Sequence, residues 1–447
     1  MRKFTTLFIA SIFGCTLTAN AQWTALATGS TASVSAIAVS GTDIYAGSGF
    51  TSSSGAFSFG KFSSGQWSHL GNWLNFPNGT GSVFCAVAVG DDIYVGGTFT
   101  DAAGNPDMDR IARWNITSQT WHALGTGLNA QVNAIAVSGT DIYVGGRFTD
   151  AGGVAAADYI AKWDGTSWSA LGTGVGGNSL SSVNAVAING SNVYIGTNFE
   201  NIAGVAAADY LAKFDGTSWS DVGGWGASVG AIFDIKFATN GDLYIAGEFT
   251  PARLAKYNGT NWLPVGDNLN QRVNTMAFVG SDLYIGGNFT SPSGNGDASY
   301  LAKLNGTSWE SVGGGFLNNA VSRLVVSGTN IIVGGTFTDA GGNTNADRIA
   351  ILATGSNPPS SIVENSKIDF EIFPNPNNGN FTLSLPENST YNMQVMDMTG
   401  KTVYFEKINE SLNSKPVILK NVLPGIYFVK IESAEGQVSI KKINIIK

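Results

Sequence analysis

The stretch VNAIAVSGTDIYVGGRFTDAGGVAAADYIAKWDGTSWSALG, from Val132 to Gly172, decides the fold because the chain keeps repeating it. Its centre, DIYVGGRF at Asp141, also occurs as DIYAGSGF at Asp43, DIYVGGTF at Asp92 and NVYIGTNF at Asn192. It continues as DLYIAGEF at Asp242, DLYIGGNF at Asp282 and NIIVGGTF at Asn330. The seven copies stand 40 to 51 residues apart, a period that belongs to repeat architectures. Each copy holds four short strand signals: A of the VNAIAV type, B of the DIYVGG type, C of the YIAKW type and D of the SWSALG type. Ser138-Gly139-Thr140 and Asp164-Gly165 supply tight turns that fold A onto B and C onto D. Four antiparallel strands repeated at this spacing predict propeller blades.

Counting strand D sets the number of blades. Its Trp occurs at Trp67, Trp121, Trp168, Trp219, Trp262 and Trp309, and the seventh copy ends at Arg348-Ile349-Ala350-Ile351-Leu352 without one. The missing strand sits at the other end of the chain, in Gln22-Trp23-Thr24-Ala25-Leu26. Residues 22–355 therefore read as an all-β, seven-bladed propeller closed by its N-terminal strand, which leaves no sheet edge exposed. A buried aromatic hides roughly 150–250 Å², so one Trp per blade at a fixed register reads as a stability device. The pairs Gly145-Gly146 and Gly286-Gly287 read as bulges or close blade contacts. They are not phosphate loops, since no helix follows to aim its N-terminus at an anion.

The chain begins as an exported protein does. Arg2 and Lys3 form a basic n-region, Leu7 to Leu17 an apolar h-region and Ala19-Asn20-Ala21 a small-x-small cleavage site, so residues 1–21 read as a signal peptide. The alternative is a lipoprotein signal at Gly14-Cys15, which Phe13 fits poorly. No segment approaches the ~20 apolar residues of a membrane-spanning helix. Removing the signal peptide leaves Cys85 without a partner for an intrachain disulfide. The net charge is −8, while residues 362–447 hold nine basic and nine acidic side chains, so the acidic excess lies in the repeats. A surface of that sign excludes nucleic acid as a partner.

After Asn357-Pro358-Pro359-Ser360-Ser361, in a linker over 356–368, the composition turns to Lys, Ile and Val. FEIFPNPNNGNFTLSL, YNMQVMDMTGKTVYF, PVILKNVLPGIYFVKIES and VSIKKINIIK alternate apolar and polar residues, which predicts a small immunoglobulin-like β-sandwich. Residues 369–447 resemble the C-terminal sorting domain of type IX secretion cargo from Bacteroidota. The resemblance rests on Phe373-Pro374-Asn375-Pro376 with Gly379, on Asp397 and Gly400, on Gly425-Ile426-Tyr427 and on Lys441-Lys442-Ile443. It implies passage through that secretion machinery to the outer cell surface or the medium. The repeats are similar to kelch-type and fungal cortical-marker repeats. Families built this way include copper oxidases, lectins and protein-binding scaffolds, so the fold leaves function open.

Catalytic chemistry is thinly supplied. His69 and His122 follow strand-D Trp residues at the outer edge, and Cys85 takes the register of Ala134 and Ala185, as a small buried hydrophobe would. No cofactor is implied. Asp101, Asp150 and Asp339 recur at the start of the B–C loop, and Asp109, Asp158, Asp209 and Asp347 at its end. Recurrence favours a turn or capping role, with a calcium-binding loop as the sharper alternative.

Departures from the repeat mark the candidate site. Trp73, with Phe76 beside it, and Trp225 fall outside the pattern in D–A connections, on the face that also carries the long B–C loops. Asp234, Lys236 and Arg323 put charges on strand A, where other units carry Ala, so they are candidates for a polar site at the channel mouth or for an inter-blade salt bridge. The expected function is a monomeric, secreted or surface-attached binding module that takes glycan or protein on the long-loop face. The alternatives are a carbohydrate-active enzyme using loop carboxylates and a structural or adhesive surface protein.

Overall fold

The computed structural model describes residues 23–26, 33–52, 55–71, 81–225, 230–250, 252–267, 269–314, 317–354, 370–385, 390–397, 402–408, 414–419, 422, 424–433 and 438–446. The expected signal peptide, the linker, Trp73, Phe76 and Gly400 lie outside the described residues. Two compact units divide the chain, Met1–Pro358 and Pro359–Lys447.

The first unit is propeller-like, with seven four-stranded antiparallel sheets, one per repeat. In the third repeat, strand A is Val132–Ser138, B Asp141–Gly146, C Ile160–Trp163 and D Trp168–Ser169, paired in that order. The A–B turn closes at Ser138↔Asp141 through Gly139, whose φ of 60° is the left-handed value that the tight hairpin requires. In the seventh sheet the fourth strand is Trp23–Ala25, which pairs Trp23 with Leu352 and Ala25 with Ala350. Neighbouring sheets meet through their A strands, and the A strand of repeat seven, Val321–Ser327, lies against that of repeat one, Ala36–Ser40.

The core sits between the sheets rather than inside any one of them. Tyr94 and Ile111 of repeat two pack with Val132, Phe148 and Trp168 of repeat three, and Leu26, Ile332 and Ile349 of repeat seven pack with Ile37 and Ile44 of repeat one. In repeats one to five the indole of the strand-D Trp ties neighbouring repeats together. Trp168 Nε1 donates to Leu124 O of the preceding repeat at 3.0 Å, and Trp67, Trp121, Trp219 and Trp262 do the same to Leu26, Leu70, Leu171 and Val222 at 2.7–2.9 Å. Gly125 lies under this ring with φ 63°, where a Cβ would come within 3.3 Å of Trp168. The Leu-Gly ending of strand D is thereby explained.

In the second unit, Glu371–Phe373, Asn380–Ser384 and Ser414–Ile418 form one antiparallel sheet. Tyr391–Asp397, Thr402–Ile408, Gly425–Ser433 and Val438–Ile445 form another. Both sheets contribute to a single core that includes Phe381, Leu383, Met393, Val395, Val429 and Ile443.

Candidate functional site

The geometry that builds the site is a bulge repeated at the start of strand A. In repeat three Val132 faces Gly146 but Ala134 faces Gly145, which leaves Asn133 as an extra residue. The same slip singles out Phe84, Asn184, Phe233, Asn274 and Ser322 in repeats two and four to seven. A bulge of this kind turns a side chain out of the strand's normal alternation. The Gly pair accommodates it: a Cβ on Gly146 would overlap Gln131 O, and one on Gly145 would meet Val183 of the next repeat at 2.6 Å.

All six bulge residues, with Ser35 of repeat one, line a cavity of about 480 Å³. Arg147, Asn198 and Glu248, which follow strand B, and Gln131, Ser182 and Arg272, which precede strand A, complete its wall. Arg147, Asn198, Glu248 and Arg272 are exposed, whereas Phe84, Asn133, Phe233 and Arg323 are half-buried. The amides are tied across repeats. Asn133 Nδ2 donates to Ser182 Oγ at 2.7 Å and Val183 O at 3.2 Å, and Asn274 Nδ2 donates to Val321 O at 2.8 Å and Asn288 Oδ1 at 3.0 Å. Arg272 Nε donates to the same Asn288 Oδ1 at 3.1 Å, and the guanidinium lies 5.4 Å from the Phe233 ring centroid.

One residue further along strand A, the seven repeats place Ala36, Cys85, Ala134, Ala185, Asp234, Thr275 and Arg323. A second cavity of about 190 Å³ adjoins this level and shares Asn184, Phe233 and Arg323 with the first. Arg323 reaches out of repeat seven, with Nε donating to Ser35 O at 3.3 Å and Nη2 to Phe84 O at 3.2 Å. Asp234 Oδ2 accepts from Met276 N of the next repeat at 2.7 Å, and Oδ1 accepts from Ile235 N at 2.9 Å. Thr275 Oγ1 in turn accepts from Leu324 N at 3.2 Å. Consecutive repeats five, six and seven are thus cross-linked by one polar side chain each.

Two sequence expectations are corrected here. Trp225 offers no ring to a ligand: it is buried, edge-on to Phe249 at 5.0 Å and tilted onto Trp262 at 4.5 Å. Asp234 is also buried, and its oxygens serve main-chain amides. Its ion pair is with Lys236 of its own strand at 3.7 Å, and no salt bridge to Arg323 forms among the described residues. Of the charges expected at the mouth, Arg323 lines the larger cavity. Lys236, an exposed side chain, lines the smaller one. The bulge residues escaped sequence reading because VNAIAV looks like an uninterrupted strand. Comparing its second position across repeats would have found them, since it reads Ser, Phe, Asn, Asn, Phe, Asn, Ser.

The recurring aspartates close the B–C loops. Asp109, Asp158 and Asp209 each accept through Oδ1 from the backbone N–H of Asp101, Asp150 and Asn201, at 2.7, 2.7 and 2.9 Å. Burial pushes the Cys85 thiol up to about 12, against a smaller opposing pull from Arg323. An unreactive, packed thiol results.

In the second unit the expected signal residues come together from both ends of the domain. Asn375 Nδ2 donates to Lys442 O at 3.0 Å and its Oδ1 accepts from Asn444 N at 2.8 Å. Asn377 N donates to Asn444 O at 3.0 Å, and Gly379 N donates to Asn377 Oδ1 at 2.8 Å. Pro374, Pro376, Lys441 and Lys442 are exposed, with Lys441 Nζ 5.3 Å from the Phe370 ring centroid, while Tyr427 is buried and follows Gly425 on the adjoining strand. The Pro-Asn-Pro segment and the last strand are one surface.

Residues 371–447 match the family model of the secretion system C-terminal sorting domain. This part of the chain is a type IX sorting domain, which implies export by that machinery and indicates secretion or a cell-surface location. No curated protein matches the chain. Among solved structures, the extracellular domain of a hybrid two-component system from B. thetaiotaomicron is 13% identical with TM-score 0.46, and the match covers 93% of this chain and 55% of that one. A chain of a mitotic checkpoint complex is 12% identical with TM-score 0.48, covering 78% of this chain and 98% of that one. A GH74 enzyme from Niastella koreensis is 12% identical with TM-score 0.42, covering 94% and 67%. No helix among the described residues is long and apolar enough to cross a membrane.

Proposed function

We propose that residues 22–355 are a closed seven-bladed propeller, delivered to the cell exterior by the sorting domain, that binds glycan in the cavity on its long-loop face. Closure is supported by the N-terminal strand in the seventh sheet and by the contact between the first and seventh A strands. Binding is supported above all by the ring of bulge residues. It converges amides, hydroxyls and two half-buried Phe rings on one concave space of about 480 Å³, a size typical of small-ligand sites. Amides donate and accept at once, as paired sugar hydroxyls require, and Phe84 and Phe233 supply apolar faces. Glu248 is the single carboxylate in the lining. Glycoside hydrolysis by the usual route needs two, so the geometry favours binding over catalysis.

A glycan array with the full secreted chain, beside an Asn133→Ala/Asn184→Ala variant, tests the reading. Specific binding that is lost in the variant supports it. A blank array, or binding indifferent to both substitutions, removes glycan recognition by this cavity and turns the search to protein ligands.

A further inference from the structure

We infer that the cavity selects an acidic saccharide, one carrying a carboxylate, over a neutral one; the inference rests on the glycan-binding reading above. The sign of the charge carries it. The repeats as a whole are acidic, and five of their six strand-C cations are neutralised in place, with Lys61 on Asp43, Arg113 on Asp92, Lys162 on Asp141, Lys256 on Asp242 and Lys303 on Asp282, all within 2.7–3.4 Å; Lys213 of repeat four, whose repeat carries Asn192 in place of the Asp, is the exception. The cavity reverses that pattern, because Arg147, Arg272 and Arg323 line it against Glu248 alone.

Nor, among the described residues, are those three arginines spent on carboxylates. Arg323 donates to Ser35 O and Phe84 O, Arg272 to Asn288 Oδ1, and Arg147 Nη2 to Leu180 O at 3.4 Å. Each acceptor is neutral, so the positive charges stay uncompensated by their hydrogen bonds. A guanidinium holds its charge at any working pH and has five donors, so each retains N–H groups for a further acceptor. Its fork matches a carboxylate in two parallel bonds. Three such groups around a concave site focus positive potential in a molecule that is otherwise negative. Glu248, on the rim, then repels the same ligand carboxylate and biases its acidic group toward the arginines.

Titration calorimetry with the full chain, using trigalacturonic and trimannuronic acid beside their methyl esters, tests the sign directly. The acid is expected to bind about tenfold to a hundredfold more tightly than its ester, the range of a charge-assisted bond, and to weaken as salt is raised. Arg147→Gln/Arg272→Gln changes two exposed side chains, so folding is not at risk, and it should bring acid and ester to near-equal affinity. Glu248→Gln should tighten the acid several-fold and leave the ester unchanged. Acid and ester bound equally, with binding lost in Asn133→Ala, would overturn acidic selection and leave the glycan reading standing. Neutral glycans bound on the array while neither acid binds would have the same meaning. Silence of both acids together with a blank array would overturn both.

Discussion

The outer and inner edges of the seven sheets follow opposite rules. At the outer edge one residue recurs, a Trp in every strand D, and in repeats one to five its indole donates to a carbonyl of the preceding repeat. At the inner edge seven equivalent positions hold Ala, Cys, Ala, Ala, Asp, Thr and Arg, and the positions just before them, bulged in six of the seven repeats, hold Ser, Phe, Asn, Asn, Phe, Asn and Ser. A contact that every interface needs is met by repetition. A ligand has no sevenfold symmetry, so the proposed binding role calls for positions that break the repeat, and in this molecule the repeat is broken along the A strands.

The widest test of that division is Trp168→Ala. Trp168 is buried and fills the seam between repeats two and three, so its loss should cost about 3–5 kcal/mol, read by denaturant unfolding. Ligand affinity of the folded fraction should be unchanged; a variant with intact stability and altered binding would break the comparison. Next in size is Asp234→Ala, which strands the buried N–H groups of Met276 and Ile235 for about 1–3 kcal/mol. Asp234→Asn keeps one carbonyl acceptor and should recover part of that. An unchanged unfolding midpoint for Asp234→Ala would return the residue to the list of ligand contacts. Gly125→Ala should cost about 1–2 kcal/mol, because it puts a Cβ on a left-handed residue against Trp168, and reversing its sign would require the Trp seam to be loosely packed.

Repetition also governs what could be read from sequence. The number of four-stranded sheets, the strand-D indoles and the N-terminal strand of the last sheet were legible because the repeat is written several times over, and a missing copy is conspicuous. The Pro-Asn-Pro segment was legible as a motif, but its bonds to Lys442 and Asn444 were not, since they join residues nearly seventy positions apart. The cavity was half legible. Arg323 stood out as a charge among alanines, but Asn133 and its equivalents sat in a phrase that alternates like an ordinary strand. A one-residue slip turns them to the cavity, and it is a feature of the pairing with strand B, which the alternation of strand A does not display. Trp225 misled for the converse reason: lying outside the repeat is not lying outside the core, and an isolated indole can fill a gap between Phe249 and Trp262.

Cys85 sharpens the comparison with the smallest effect. It occupies an inner-edge position, yet it packs like the alanines of its neighbours and belongs to stability rather than binding. Its thiol, pushed up to about 12 by burial, stays neutral in the folded chain where an unfolded thiol would ionise near 8.5. Folding therefore gains from the buried neutral thiol fully below about pH 8.5, and the gain is lost as pH rises toward 12. Tyr45 and Tyr210, also raised to about 12 by burial, lose their contributions only above about pH 10. The interval between about pH 8.5 and 10 thus isolates the cysteine. Across it the melting temperature of the native chain should fall more steeply than that of Cys85→Ala, which restores the residue found at positions 36, 134 and 185. Parallel slopes would mean that the thiol reaches water through the smaller cavity. That outcome would move Cys85 from the packed part of the inner ring to the part that faces a ligand.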